Sequence, residues 1–355
     1  MLLQVSAWAD WLWTDRIINR SCIRSRHPIS FGHTEIHPGM TGRNKIVLLH
    51  WNGRFGNRMF TYVFLRHYAE KFKLDIWVPS NWEGDVLFED TRCKIIDDDE
   101  LRLYLNQTIP ELDSLDARLA AINRYNQKNG DNISYMNPDD PGQFGRINVC
   151  IDSLACYHDS IFRHYSRDKI LNNYCRFSDS ITGSELYKRM QARQGTYHIA
   201  HLRRDDIVNP EITSNQGYSV ISRQSYEKAF VKYGYDPETV EWVTDDKTGN
   251  WGIIYPKYED NWRYPEGSQH YQEITFSWFP DFLKLMFAKT IFRANSSFSW
   301  WASFLSNAKV YSPRLHTRVL FHQTGQETDF EFEEGNHPHW LCIYGQDQCD
   351  DIIIK

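Results

Sequence analysis

The chain has 355 residues, a formal net charge of −6, 41% hydrophobic residues and 24% charged residues. That length exceeds one typical core and suits two domains, and the composition is globular. An acidic balance excludes the broad basic surface of a nonspecific nucleic-acid binder, and no run approaches the roughly 20 apolar residues of a membrane helix.

Residues 1–44 read as an N-terminal extension. Its start carries Trp8, Trp11 and Trp13 among Asp10, Asp15 and Arg16, so it lacks the pattern of a secretory signal. Leu3, Ala7, Trp8 and Trp11 share one helix face, open to packing on the protein, a partner or a membrane surface. Pro28, Gly32, Pro38 and Gly42 then break a polar lead-in. Residues 45–190 form the expected first lobe. Lys45–Trp51 predicts a buried parallel strand, Gly53 and Gly56 a tight turn, Asn57–Lys73 a helix and Leu74–Val78 a second strand stopped by Pro79. The pattern loosens from Asn81 to about Ser180, with a helix and polar loop over Glu111–Asp140, a strand at Ile147–Ile151 and a helix over Tyr157–Asn173.

Residues 191–320 form the expected second lobe. Strands are predicted at Thr196–Leu202, Val240–Thr244, Thr290–Arg293 and Lys309–Tyr311. Helices fall at Ser222–Tyr233, capped by Ser222, and at Asp281–Lys289 and Ser299–Asn307. Residues 321–355 are left as a C-terminal tail. Two strand–helix series predict an α/β protein of two doubly wound, Rossmann-like lobes with a cleft between them. Seven cysteines, odd in number and without a C-x-x-C pair, predict reduced thiols and a cytoplasmic protein. Aromatic residues are 15% of the chain, mostly for a large core, with flat faces that also suit carbohydrate.

Three segments at strand ends carry the chemistry. Gly53-Arg54-Phe55-Gly56-Asn57 lets backbone N–H groups approach a ligand at a helix start, although a plain strand–helix turn reads the same way. His201-Leu202-Arg203-Arg204-Asp205-Asp206 places two planar donor forks on opposite sides of a strand end. One is free to bind phosphate while the other is held by a carboxylate such as Asp206. Asn295-Ser296-Ser297-Phe298-Ser299-Trp300-Trp301 offers hydroxyls where a strand gives way to a helix, with both tryptophans read as core. Asp245 and Asp246 close another strand, suited to a ribose hydroxyl, a base edge or a loop cap. Asp97-Asp98-Asp99 contains D-x-D, but its neighbours make it an acidic turn into a helix, and no metal site is assigned.

Together these segments resemble the α-1,2-fucosyltransferases and, more loosely, the α-1,6-fucosyltransferases and protein O-fucosyltransferases. The H-x-R-R-x-D pattern stands at His201–Asp206, the asparagine-serine block at Asn295–Trp301, the S-D-D element as Thr244-Asp245-Asp246, and the glycine loop at Gly53–Phe60. The resemblance covers about residues 45–311. It implies a GT-B-type fold and inverting, metal-independent transfer of L-fucose from GDP-β-L-fucose to a glycan hydroxyl, most naturally in α-1,2 linkage. Beyond the GDP-sugar donor and an oligosaccharide acceptor it implies no cofactor and no nucleic acid. It also implies Arg203 as the catalytic contact to the β-phosphate, with His201 and Arg204 shaping that pocket. The donor set is then Gly53, Arg54, Gly56, Asn57, Asp245, Asp246, Ser296, Ser297 and Phe298. Glu211, five residues after Asp206 and preceded by Pro210, sits where the α-1,6 enzymes carry a base; His50 and Asp85 are lesser candidates. The chain departs from the family in having Asp205 where glycine is usual. Alternatives on the same scaffold are transfer of another GDP-deoxysugar, such as GDP-D-rhamnose, and a catalytically silent GDP-sugar or glycan-binding module.

Overall fold

A computed structural model describes residues 45–48, 51, 53–80, 82–97, 99–101, 103, 149–150, 166–208, 220–246, 276–314 and 327–337. Within them the chain is α/β, with two mainly parallel sheets. The first is built from β1 (Lys45–Leu48), α1 (Phe55–Phe72), β2 (Asp75–Pro79), α2 (Gly84–Leu87), β3 (Cys93–Ile96) and β4 (Val149–Cys150). Its order is β3-β2-β1-β4, and every pair is parallel. Of the strand expected over Lys45–Trp51, β1 shows Lys45–Leu48, and the next two residues lie outside the described residues. α1 starts two residues earlier than expected, because Arg54 takes an extended N-cap conformation and its carbonyl accepts from the Asn57 and Arg58 N–H groups. It ends where Lys73 turns left-handed, with φ 56°.

A connecting region follows. α3 (Arg167–Lys169) runs into a π-helical turn at Ile170–Tyr174, and α4 (Glu185–Ala192) is capped by the Ser184 hydroxyl, which accepts from Tyr187 N. The helix expected at Tyr157–Asn173 is therefore described only at its end, and the helix and loop expected over Glu111–Asp140 lie outside the described residues.

The second sheet contains β5 (His198–Leu202), β7 (Val240–Thr244), β8 (Thr290–Phe292), β9 (Lys309–Pro313) and β11 (Phe332–Glu334), in the order β11-β9-β8-β5-β7. All its pairs are parallel except β11 with β9. A small pair joins β6 (Val220–Ile221) to β10 (Glu327–Thr328). Its helices are α5 (Arg223–Lys232), α6 (Phe279–Met286) and α7 (Ser297–Leu305). Ser222 caps α5, accepting from Ser225 N, as its sequence position predicts. The segment set apart as a C-terminal tail supplies β10 and β11, so part of it is integral to this sheet.

Alternation along β5 sorts its side chains to two faces. Ile199 joins the core around α6 and α7, while Ala200 and Leu202 join a second cluster under α5 with Tyr226, Phe230 and Phe292. The first cluster is continuous with the first sheet: Ile46, Phe60 and Val63 pack in the same body as Phe282, Trp300 and Trp301. Phe60 lies 5.0 Å from each of those two indoles. Both tryptophans are thus core, as expected. One cluster thus spans both sheets, while the other face of the second sheet packs its own under α5.

Among the described residues no helix is long and apolar enough to cross a membrane. Cys93 and Cys175 carry free thiols whose pKa is raised by burial, that of Cys93 to about 12.

Candidate functional site

In an open parallel sheet, ligands sit beyond the carboxyl ends of the strands, where the strand order reverses. In the first sheet the chain passes from β1 to β2 and β3 on one side, then to β4 on the other. That reversal opens a crevice at the end of β1, and β1 leads into Gly53–Asn57. In the second sheet the chain passes from β5 to β7, then returns to β8 and β9 on the other side of β5. That crevice lies between the ends of β5 and β8, which lead into Arg203-Arg204 and into Asn295–Ser297. All three predicted segments therefore occupy reversal points.

The two crevices meet. Ser297 Oγ donates to Asn57 Oδ1 at 2.5 Å, and a Cβ on Gly56 would stand 2.6 Å from Phe298 N and from the Ser297 carbonyl carbon. Glycine is required at position 56 by this approach of the two helix starts. At Gly53 the requirement is conformational: φ is +66°, and a Cβ would meet the Asn57 side chain at 2.2 Å. Arg58 braces the loop, donating to Gly53 O and to Glu83, each at 3.0 Å. A row of stacked rings crosses the same junction. Phe276 stacks on Trp278 (5.4 Å), Trp278 on Phe55 (4.3 Å), Phe55 on Trp82 (6.3 Å) and Trp82 on Trp51 (4.6 Å). Phe276, Trp278 and Trp51 are half-buried, and the inner rings Phe55 and Trp82 are buried.

Helices α1, α6 and α7 point their N-termini into this region, since Phe55, Trp278 and Phe298 at or beside their first turns touch one another. Ser296 caps α7, its Oγ accepting from Phe298 N at 3.2 Å. Ser299 is buried and turns back to the Ala294 and Ser296 carbonyls.

The pleat of β5 separates the two arginines. Arg203 continues the His201 side, toward α7; it is half-buried, and its Nη1 lies 3.4 Å from Asn295 O. Arg204 continues the Leu202 side, beneath α5, and is only 1% exposed. Its Nη2 donates to Ile221 O at 3.0 Å and to Glu327 Oε1 at 2.5 Å, and its Nη1 donates to Arg203 O at 2.9 Å. Its backbone N–H donates to Asp245 Oδ1 at 2.6 Å. Among the described residues the carboxylate that meets Arg204 is Glu327; the Asp206 side chain, the partner expected from sequence, lies outside them. Asp205 and Asp206 lie in a helical turn, Asp205–Val208, and their side chains are outside the described residues, as are Glu211 and His50. Asp246 is buried, its N–H bonded to Thr244 Oγ1. Arg54 is exposed at the mouth. Asp85 lies in the first turn of α2. Asp97 accepts from Glu100 N at 2.7 Å, the acidic helix start its sequence predicts, while Asp98 is outside the described residues. Among the described residues no group of three or more His, Cys, Asp or Glu is placed to hold a metal.

Buried polar atoms without a donor or acceptor are rare in folded proteins, and each calls for an explanation. Among those on the elements that meet at this crevice are His201 Nδ1, Asn295 Oδ1 and Asp281 Oδ1, which have no hydrogen-bond partner among the described residues. Burial first, then the charges of Arg203 and Arg293, pull the His201 pKa down to about 3. Its imidazole is therefore neutral at physiological pH, and lies 5.7 Å from the Phe298 ring. Burial likewise pushes the Asp281 carboxyl up to about 7, against the attraction of Lys284 and with help from the charge of Asp245. Sequence reasoning missed Asp281. Its only signal is an acid after Pro280 in the first turn of an otherwise apolar helix, Phe279–Met286.

No protein-family model matches the chain, and no curated protein matches it in sequence. Comparison with solved structures finds the fucosyltransferase NodZ from Bradyrhizobium at 15% identity and a TM-score of 0.43, covering 82% of this chain and 99% of that one. A NodZ α-1,6-fucosyltransferase soaked with GDP-fucose matches with the same score and coverage at 14% identity. An Arabidopsis thaliana FUT1 mutant in complex with GDP matches at 12% identity and a TM-score of 0.37, covering 79% of this chain and 73% of that one. At such scores the likeness says nothing of what this chain does.

Proposed function

We propose that the chain is a glycosyltransferase that moves L-fucose from GDP-β-L-fucose to a glycan hydroxyl, with inversion and without a metal. One observation carries the reading: both strand-order reversals open on a single junction, where Arg203, helix N-termini and three orphaned buried polar atoms gather. Helix N-termini and a guanidinium together suit a diphosphate. Buried carboxylate and amide oxygens without donors suit a purine edge that presents N–H groups, so Asp281 and Asn295 are proposed to receive the base. His201, neutral, serves as a hydrogen-bonding ring and not as a proton shuttle.

In the transfer step the bond between the sugar C1 and the β-phosphate oxygen breaks, and its electron pair leaves with GDP. The acceptor oxygen bonds to C1 from the opposite face and its proton passes to a base, for which Glu211 is proposed. Arg203 stabilises the charge gathering on the diphosphate, a role in which one lost donor typically costs about 3–4 kcal/mol. The acceptor enters from the side of the glycine loop.

Calorimetric titration with GDP and UDP, followed by transfer assays with GDP-fucose, a glycan panel and excess EDTA, tests this. Selective GDP binding and a fucosylated product are expected. Absence of GDP binding overturns the donor assignment, GDP binding without transfer identifies a binding module, and product only with another GDP-deoxysugar reassigns the sugar.

A further inference from the structure

Arg204 is a buried cation whose described charge partner, Glu327, comes from β10, after the last parallel strand of the large sheet. A buried guanidinium is costly unless it is paired, and here the pairing carboxylate, 33% exposed, reaches in from the rim, an arrangement that invites a positional explanation. The segment that delivers Glu327 is anchored without it. Ser222 Oγ and Lys228 Nζ donate to Asp329, Phe330 N donates to Ser225 Oγ, and Tyr233 OH donates to Phe332 O. Phe330 and Phe332 are buried in the cluster beneath α5. Parallel pairing of β10 with β6 sets Glu327 opposite Val220, one rung from Ile221, whose carbonyl also accepts from Arg204. The same segment grips the other wall of the crevice. Arg293, after β8, donates to Ser312 Oγ at 2.7 Å, to Ala294 O at 3.1 Å and to His337 O, beside the turn that presents Asn295.

We infer that Glu327 is a positioning residue: through Arg204, which donates to the Arg203 carbonyl, it fixes the turn after β5 and so aims the Arg203 guanidinium into the crevice. This rests on reading the crevice as a diphosphate site. A merely structural glutamate would leave nucleotide affinity alone once the protein is folded. A positioning glutamate loses its effect when Arg203 is removed, because coupled residues are non-additive.

The test is a double-mutant cycle on the full chain, read by GDP affinity and checked by thermal melting. Glu327→Gln is expected to weaken GDP binding on the order of tenfold where Arg203 is present, and by less than about twofold in an Arg203→Ala background. An equal factor in both backgrounds, or no loss in the first, overturns the inference while leaving the function standing. Failure of the unaltered protein to bind GDP removes the function reading and this inference with it. Should Glu327→Gln not melt cooperatively, Glu327→Asp, which keeps the charge on a shorter arm, is carried through the same cycle with the same criterion.

Discussion

The first sheet reaches the junction with backbone, the second with charge. At the end of β1 the important residues are Gly53 and Gly56, one chosen for a left-handed turn and the other for contact with Phe298 N. At the ends of β5 and β8 they are His201, Arg203, Arg204 and Asn295, of which all but Arg203 are buried. The glycine side controls distance and tolerates no added atoms. The arginine side controls potential and tolerates no missing ones. Substitutions on the two sides are therefore expected to fail differently.

The largest effect is expected on the charged side. Arg203→Ala should lower the transfer rate on the order of 10²–10³-fold while the melting temperature holds, because the side chain is half-buried and acts on a developing charge. Unaltered turnover would break the contrast at its centre. On the glycine side, Gly56→Ala forces a methyl into the Ser297–Phe298 backbone and should cost about 1–3 kcal/mol of stability, seen as a lower denaturation midpoint. A midpoint equal to that of the unaltered chain would mean the two helix starts are not in contact.

Asp281 sharpens the comparison through pH. Its carboxyl titrates near 7 in the fold against an ordinary 3.8, so the folded state holds an extra proton between those values. The stability this contributes is present below about pH 4 and is lost as pH rises through about 7. Asp281→Asn should flatten that slope in melts taken from pH 4 to 8. GDP affinity should run the other way, rising up to about tenfold per pH unit toward neutrality, since N–H groups of a base prefer the ionised carboxylate. A pH-independent affinity would move the base elsewhere. The smallest effect is expected at the Ser297–Asn57 hydrogen bond, where Ser297→Ala should cost about 0.5–1.5 kcal/mol in the same melts.

Much of this arrangement is legible in the sequence because it follows from local rules. Val240–Thr244 is a short β-rich run that stops at two aspartates, and it is a strand over that span. Ser222 announces the start of α5. Adjacency of Arg203 and Arg204 at a strand end is enough to place them on opposite faces. That Glu327 meets Arg204 is not legible, because it lies 123 residues away and is brought there by the pairing of β10 with β6. Alternation in Asp329-Phe330-Glu331-Phe332-Glu333 is the available sign that this stretch packs on the sheet, where Phe330 and Phe332 are buried and Phe332–Glu334 is strand. Asp281 was hidden for another reason: its importance comes from burial and from the charge of Asp245, neither of which has a sequence period.

The stacked rings from Phe276 to Trp51 carry a further consequence. Phe55, from the first sheet's side, is inserted between Trp278 and Trp82, and Phe282 meets it edge-on at 5.3 Å. Severing the chain near residue 190 would strip both halves of ring faces that neither can re-cover. The halves would be sticky and fold poorly when expressed apart, and the intact chain would show a single endotherm on heating. Two architectural halves would then behave as one thermodynamic unit.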